Sequence, residues 1–504
     1  MDMQYDKYKN HLRKIADVNF ASAVLSWDQE TYMPVKGSAF RSQQLSTLAG
    51  IAHDLHISKE FGEVLNILGN DVSLNDIQAR NVSYSLKDYQ RQNKYSTAFV
   101  ELMSKTVNES FQAWQKAKQT NNYKVFAPYL EKIVSLKRQE CDILGYIDHP
   151  YDALIDLYEP GVKTADLNVL FLDVKNKLVD FVGDIAQQSQ NREDFMYKFY
   201  DKEKQWSFSI YLLNHLGYDL ESGRQDQSSH PFSTNFSPQD VRITTRTNEY
   251  DLGEIIWSTI HEVGHALYEQ GMLVENYGLP SGECASLGIH ESQSRLWENN
   301  VGRSLEFWHT HYPVLQNIFP ENLADVSVED FYKAMNVVKP SPIRTSADEL
   351  TYHFHVMIRF EIEKALIEGS IKVSDLPSIW NQKYKSYLNI DVFDDSSGVL
   401  QDVHWSHGSF GYFPTYSLGS FYAAQFFYAA KKQISGLLPS IQKGDVIPLL
   451  SWLRENIHQH GRIYSAQELL EKNTGEKLNF DYFMNYAKYK YAGLYNLSKY
   501  EAKV

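Results

Sequence analysis

The chain has 504 residues, enough for one very large core or for two to three ordinary domains of about 100 to 200 residues each. Hydrophobic residues make up 43% and charged residues 22%, values that are typical of a globular protein and exclude a disordered one. The 63 acidic side chains outnumber the 49 basic ones, which argues against nucleic acid as a partner because a phosphate backbone is bound by cations.

The first segment, MDMQYDKYKNHLRKIADVNF, carries charges throughout and lacks the apolar run of about 7 to 15 residues that a signal peptide needs. The only cysteines are Cys141 and Cys284, too few for a disulfide framework and too far apart for a zinc ribbon. These features predict a cytoplasmic protein. The apolar stretch LGSFYAAQFFYAA from Leu418 is shorter than the roughly 20 residues that span a bilayer, so it predicts a buried helix and no membrane partner.

Apolar residues recur at spacings of three and four over most of the chain, for example in VFAPYLEKIVSLKRQECDIL from Val125 and YHFHVMIRFEIEKALIEG from Tyr352. This spacing predicts a mainly α-helical protein. The best strand candidate is VRITTRTNEY from Val241, whose β-branched residues favour a small sheet close to the helix that follows. Because no linker, repeat or low-complexity tract divides the sequence, we expect residues 1–504 to form one large domain, with two lobes around a cleft.

The segment IIWSTIHEVGHALYEQG, from Ile255 to Gly271, contains two histidines four residues apart with a glutamate directly after the first. Positions i and i+4 lie on the same face of a helix, so His261 and His265 can direct imidazole nitrogens at one metal ion. Glu262 lies about 100° round the helix, where it does not ligate but can reach a water on the metal as a general base. Strongly helical flanks and a C-cap glycine at position 271 predict the helix that this geometry needs.

A catalytic zinc ion needs a third protein ligand and one open position. A metzincin would have glycine at position 268 and histidine at position 271, but the chain has Tyr268 and Gly271, which excludes that class. We choose Glu291 as the third ligand, because a carboxylate on a following helix completes a His2Glu site. Arg295 at i+4 and Glu298 at i+7 can support this carboxylate from behind. The candidates in the segment SGECASLGIHESQSRLWENN are Glu283, His290, Glu291 and Glu298.

At HEVGHALYEQG followed by GIHESQSRLWEN, the sequence resembles the carboxypeptidase Taq family of zinc-dependent metallocarboxypeptidases. Further blocks in the family's order extend the resemblance over nearly the whole chain: LSWDQETYMP, YDALIDLYEPG, HPFS, DVRITT, IRTSADELTY and GVLQDVHWSHGSFGYFPTY. The resemblance implies a single, almost all-helical fold with a deep central groove, similar to neurolysin, and often a homodimer. It also implies that His261, His265 and Glu291 bind the metal and that Glu262 is the general base and acid.

A carboxypeptidase must bind the free carboxylate of its peptide substrate, and a guanidinium does so with two hydrogen bonds. Arg344 is the first candidate, because the segment from Ser346 to Glu349 has the form of a capping box that would hold its backbone at a helix start. Arg242, on the predicted strand, is the alternative. We favour His404 and Tyr416 as donors to the oxyanion of the tetrahedral state. The candidates in the block GVLQDVHWSHGSFGYFPTY are His404, His407, Tyr412 and Tyr416.

The expected function is therefore the release of single C-terminal residues from peptides, with the broad side-chain tolerance that the resemblance implies. Zinc is the expected cofactor, and cobalt or manganese are alternatives because the ligands suit several divalent ions. A zinc endopeptidase of the same architecture is a second hypothesis, since the zinc chemistry is the same. An inactive peptide-binding protein is a third, against which the intact ligand set and Glu262 argue.

Overall fold

The computed structural model describes residues 2–189 and 191–500. Within these ranges the chain is mainly helical, with one three-stranded sheet, which confirms the predicted fold class. The strands are β1 (Gly223–Gln227), β2 (Phe232–Ser237) and β3 (Asp240–Thr245). The helices are α1 (Asp2–Thr31), α2 (Ser38–His56), α3 (Lys59–Leu68), α4 (Asp76–Gln92), α5 (Thr97–Gln119), α6 (Tyr123–Leu144), α7 (Pro150–Ile155), α8 (Thr164–Ala186), α9 (Lys202–Leu216), α10 (Leu252–Gln270), α11 (Leu287–Arg295), α12 (Leu305–Ile318), α13 (Pro320–Leu323), α14 (Val328–Ala334), α15 (Tyr352–Glu368), α16 (Leu376–Leu388), α17 (Pro414–Gln433), α18 (Leu437–Gln442), α19 (Ile447–Asn456), α20 (Ala466–Thr474) and α21 (Asp481–Tyr495).

The helices that were predicted from apolar spacing are present. The run from Val125 lies in α6 and the run from Tyr352 lies in α15, and both helices bury a continuous apolar face. The apolar stretch from Leu418 lies in α17 and is buried as predicted, except for Tyr428, which is exposed. Among the described residues, no helix combines the length and the apolar character that crossing a membrane requires.

The predicted strand forms over its first part only. β3 ends at Thr245, and the residues that follow leave the sheet before α10 begins at Leu252. β3 is the central strand, with β1 parallel to it on one side and β2 antiparallel on the other. Both β2 and β3 pack against α10, so the small sheet lies beside the histidine helix as predicted.

The described chain divides into two compact units. The first consists of residues 2–93, 191–335 and 422–479, and the second of residues 94–189, 336–421 and 480–500. The sheet, α10 and α11 belong to the first unit. The helices α5 to α8, α15, α16 and α21 belong to the second.

Candidate functional site

The helix α10 begins and ends at local capping residues. The Asp251 carboxylate accepts a hydrogen bond from the Gly253 N–H over 2.9 Å, and Gly271 follows the last residue of the helix, as predicted. A close approach between α10 and α11 occurs at Gly264, where a Cβ atom would lie 2.5 Å from the Ser294 Cα. Because any larger residue would push the two helices apart, this glycine allows their side chains to meet.

Three donor atoms from α10 and α11 converge on one point. The Nε2 atoms of His261 and His265 lie 3.9 and 3.6 Å from Oε2 of Glu291. The ligand atoms of all three side chains lie within 4.8 Å of one another. In a tetrahedral zinc site, two ligand atoms that each lie about 2.0 to 2.1 Å from the ion are about 3.4 Å from each other. The donor set therefore fits a single divalent ion with only small adjustments of the side chains.

The side chains behind His261 and Glu291 orient the two donors. His261 donates from Nδ1 to Oε2 of Glu298 over 2.9 Å, which leaves its Nε2 atom available. Arg295 donates from Nε to Oε1 of Glu291 over 2.7 Å and from Nη1 to Glu298 over 3.1 Å, and Arg303 donates to Glu298 over 3.2 Å. The structure thus brings Arg295 and Glu298 to the positions at which a supporting role was predicted. Glu298 lies in a π-helical segment, Leu296–Gly302, that continues α11.

A second chain of hydrogen bonds orients His265. The Nδ1–H group of His265 donates to the carbonyl oxygen of His290 over 3.1 Å. The Nδ1 atoms of the two rings lie 2.6 Å apart. His290 donates from Nε2 to Oε1 of Glu269 over 2.9 Å, and Asn235 donates to Oε2 of Glu269 over 2.6 Å. Since a carbonyl oxygen can only accept, the proton of a neutral His265 is on Nδ1 and the Nε2 lone pair faces Glu291.

The charges around His261, His265 and Glu291 favour the binding of a cation. Burial lowers the pKa of His261, but the carboxylates of Glu291 and Glu298 raise it more, so the net shift is upward. Burial, His290 and His261 together hold the pKa of His265 well below its ordinary value. His265 is therefore neutral, as a metal ligand must be, while the carboxylates attract positive charge to this point.

Glu262 lies in the same buried region but is not one of the three converging donors. Its side chain is only 6% exposed, and burial raises its pKa to about 7, while His261 opposes the shift. The hydroxyl of Ser233 on β2 also interacts with this carboxyl group. A carboxyl group with this pKa can both accept and release a proton near neutral pH.

Two of the other candidate ligands are engaged elsewhere. The Glu283 carboxylate pairs with Arg462 at 3.2 Å. The ring nitrogens of His290 contact His265 and Glu269, so this side chain supports the donors instead of joining them.

In the second unit, Arg344 is buried in a network around Asp402. The Nε and Nη2 atoms of Arg344 donate to Oδ1 of Asp402 over 3.1 and 2.8 Å, and Nη1 donates to the Tyr352 hydroxyl over 2.8 Å. Arg359 donates from Nε to Oδ2 of the same carboxylate over 2.6 Å. Two guanidinium groups share one carboxylate, so these three side chains together carry one positive charge in excess.

The predicted capping box beside Arg344 is wrong. Ser346 closes a short 3-10 turn, and α15 begins only at Tyr352. The carboxylate of Asp348 instead accepts the backbone N–H groups of residues 350 and 351, while Glu349 binds Lys490 over 2.9 Å. Asp348 therefore satisfies backbone donors just before α15, and Ser346 lies outside that helix.

His404 and Tyr416, the two favoured oxyanion donors, contact each other. The His404 Nε2 atom lies 3.0 Å from the Tyr416 hydroxyl, and the Arg344 guanidinium lies 4.9 Å from the centre of the Tyr416 ring. Burial lowers the pKa of His404 to about 3, so its imidazole is neutral. The alternatives lie beside other aromatic rings: His407 packs on Phe111, and Tyr412 packs on Tyr158 and Tyr416.

Arg242 lies on β3 and is engaged in local contacts. Its Nε and Nη2 atoms donate to the two carboxylate oxygens of Asp240 over 2.8 and 2.9 Å. The guanidinium also packs on the rings of Trp27 and Phe236 at 4.5 and 4.9 Å. These contacts show that Arg242 packs the central strand β3 against the ring of Trp27 on α1.

Three important residues were not identified from the sequence. Asp402 lies two residues before His404 in a block that was recognised, and Arg359 is the one arginine in the apolar run of α15. Glu269 lies four residues after His265 on the same helix face, a spacing that could have identified it.

A sequence model of the carboxypeptidase Taq (M32) metallopeptidase family matches residues 7–491. Carboxypeptidase 1 of Bacillus subtilis is 39% identical over 493 residues, covering 96% of this chain and 97% of that protein. Thermostable carboxypeptidase 1 of Thermus thermophilus is 39% identical over 504 residues, covering 97% and 99%. The crystal structure of an M32 carboxypeptidase from Deinococcus radiodurans has a TM-score of 0.96 at 37% identity, covering 98% of this chain and all of that one (100%).

These matches place the chain among the metallopeptidases. It belongs to the carboxypeptidase Taq (M32) family, which confirms the resemblance found in the sequence. As a member of this family it is a metallocarboxypeptidase, a peptide hydrolase that uses a divalent metal ion.

Proposed function

We propose that this chain releases single residues from the free C-termini of peptides, with broad side-chain tolerance, at a centre formed by His261, His265 and Glu291. The observation that carries the proposal is the convergence of these three donors beside the buried carboxyl group of Glu262. We propose zinc as the resident ion, since two imidazoles and one carboxylate are a common catalytic zinc set. Cobalt and manganese are alternatives with the same ligand preferences.

When bound, the divalent ion polarises the scissile carbonyl group and lowers the pKa of a water molecule. Glu262 takes the proton from that water as it attacks and then delivers the proton to the departing amine. Burial of Glu262 raises its pKa, which favours the uptake of that proton. Glu298 orients His261 directly, and His290, which Glu269 holds in place, orients His265.

Arg344 is the proposed anchor for the substrate carboxylate. The excess positive charge of Arg344, Arg359 and Asp402 supports this role, and Asp402 fixes the guanidinium in place. Arg242 remains the alternative. His404 and Tyr416 are the proposed donors to the oxyanion, since a neutral imidazole and a phenol can both donate hydrogen bonds.

The proposal is tested with one unstructured peptide that carries either a free C-terminal acid or a C-terminal amide. We expect the metal-loaded protein to remove residues stepwise from the acid only, which mass spectrometry would show as a ladder. Internal cleavage of both peptides would make the protein an endopeptidase. If a sample with verified metal content left both peptides intact, the protein would instead be an inactive peptide-binding member of the fold.

A single catalytic domain over residues 1–504, with two lobes around a deep groove, stays a prediction, as does a cytoplasmic location. A homodimer is proposed from the family resemblance.

Replacement of His261 by alanine should abolish stable metal binding, because two remaining donors hold a divalent ion weakly. Elemental analysis after dialysis would measure the metal content per chain. His309→Ala is the matched control, since this histidine is exposed on α12. Normal metal content in His261→Ala would contradict the ligand assignment.

Glu269→Gln is expected to weaken metal binding about 10- to 100-fold. A glutamine has one acceptor oxygen and one NH2 group, so it cannot accept hydrogen bonds on both atoms from His290 and Asn235. Competition with a chromogenic chelator would give the affinity. Glu275→Gln, an exposed position just beyond α10, is the control. An unchanged affinity in Glu269→Gln would show that this chain of hydrogen bonds does not support His265.

A further inference from the structure

Glu363 is a buried acidic residue of α15 that the proposed chemistry leaves without a role. Its side chain is 0% exposed, so it cannot reach a substrate. Its Oε2 atom accepts hydrogen bonds from the Tyr151 hydroxyl over 2.6 Å and from the Gly411 N–H over 2.8 Å. Its Oε1 atom accepts one from the Trp405 indole N–H over 2.8 Å. Because an apolar side chain would avoid the cost of burying a carboxyl group, we expect these three hydrogen bonds to serve a specific function.

Two of the three donors belong to the segment that carries candidate oxyanion donors. Trp405 directly follows His404, and Gly411 directly precedes Tyr412. Both donors lie in residues 404–412, the site loop. Glu363 therefore binds the site loop near both of its ends and fixes them to one point on α15.

The site loop also lies directly against α7. Gly411 has a φ of +91°, which suits glycine, and a Cβ atom there would lie 2.6 Å from the carbonyl carbon of Leu154 on α7. The Tyr151 hydroxyl, on the same helix, donates to the carboxylate oxygen that also accepts the Gly411 N–H. The Glu363 carboxylate thus connects the loop, α7 and α15.

The position of Trp405 determines the direction of the His404 side chain. In the 3-10 turn that begins at His404, successive side chains lie about 120° apart around the axis. The Trp405 ring is held by its hydrogen bond to Glu363 and by an edge-to-face contact with the Trp380 ring at 5.9 Å. Because the indole is fixed, the turn cannot rotate, and the His404 imidazole stays 3.0 Å from the Tyr416 hydroxyl.

We propose that Glu363 is a positioning residue for peptide hydrolysis, which fixes the site loop so that His404 can donate to the oxyanion. The inference rests on the oxyanion role proposed for His404, and it adds a residue that acts on the reaction only through the loop. Glu363 lies outside the sequence blocks that carry the family resemblance, in a run whose spacing predicted a helix and no chemistry.

Glu363→Gln removes this connection with little change in volume. Every one of the three partners is a donor, so the carboxylate accepts all three hydrogen bonds, although burial raises its pKa to about 7. A glutamine has only one acceptor oxygen. Whichever way the amide is turned, its NH2 group faces the N–H of either Trp405 or Gly411, so one end of the site loop is released.

We expect Glu363→Gln to lower kcat about 10-fold and to leave KM unchanged, because a donor to the oxyanion acts in the transition state and not in the bound substrate. His404→Ala removes the donor itself and should cost about 10²- to 10³-fold in kcat. The double variant His404→Ala/Glu363→Gln should have nearly the same kcat as His404→Ala, since no imidazole is left to position. A double-mutant cycle in kcat therefore tests whether Glu363 acts through His404.

Glu361→Gln is the matched control. It lies two positions earlier on α15, and its carboxylate binds Lys383 and Tyr387 on α16, so it should keep wild-type kcat. Circular dichroism and elemental analysis verify the folding and the metal content of each variant. Trp405→Phe removes the indole donor and keeps an aromatic ring, and it replaces Glu363→Gln in the cycle if that variant does not fold.

Two results would overturn the positioning role and leave the proposed function intact. One is wild-type kcat in Glu363→Gln, and the other is an equal loss of kcat with His404 present and absent. If His404→Ala itself kept wild-type kcat, the oxyanion role of His404 would be wrong and this inference would fail with it.

Discussion

Glu262→Gln is expected to keep the bound metal ion while the turnover of a free-acid peptide falls about 10²- to 10⁴-fold. The three donor side chains are unchanged in this variant, so elemental analysis should give the same metal content as the wild type. The amide is close in size to the carboxyl group but cannot take up a proton. The loss should therefore appear in kcat and leave substrate binding largely unchanged.

The matched control is Glu254→Gln, in the first turn of the same helix. Glu254 pairs with Arg246 at 2.8 Å, away from the converging donors, so its replacement removes a carboxylate from α10 without touching the centre. Glu254→Gln should keep wild-type kcat. Full turnover by a metal-loaded Glu262→Gln variant would remove Glu262 from its proposed role and direct attention to another base.

The arrangement of His261, Glu262 and His265 could be predicted from the sequence because it depends only on the helical repeat. The third donor could not be derived in the same way. Its position depends on how closely α11 crosses α10, and that distance is set by the absence of a side chain at Gly264. Local spacing left four alternatives, and the family resemblance agreed with the choice of Glu291.

The network around Asp402 shows a different limit of sequence reasoning. Asp402 binds Arg344 and Arg359, which lie 58 and 43 positions earlier in the chain. No local sequence pattern specifies contacts over such separations. At Ser346–Glu349 the sequence has the form of a local helix cap, but the structure does not form that cap. Contacts of Glu349 with Lys490 and Tyr491 on α21 take precedence over the local preference.

Arg344→Ala is expected to lower kcat/KM for free-acid peptides by about 30- to 4000-fold, because a buried charge pair with the substrate carboxylate is worth about 2 to 5 kcal/mol. The same change leaves Asp402 with one guanidinium partner, so a loss of stability is also expected. Activity alone therefore cannot separate recognition from structural damage. The decisive quantity is the ratio of the rates on the acid and amide forms of one peptide, measured by mass spectrometry.

Arg359→Lys is the control that separates the two effects. Arg359 shares Asp402 with Arg344 but is fully buried, at 0% exposure, while Arg344 keeps 7%, so only Arg344 can reach a substrate. Arg359→Lys should lower the melting temperature and keep the wild-type preference for the acid. Arg344→Ala should bring the acid-to-amide ratio close to one. If both variants kept the wild-type ratio, Arg344 would be a structural partner of Asp402, and Arg242 would become the candidate anchor.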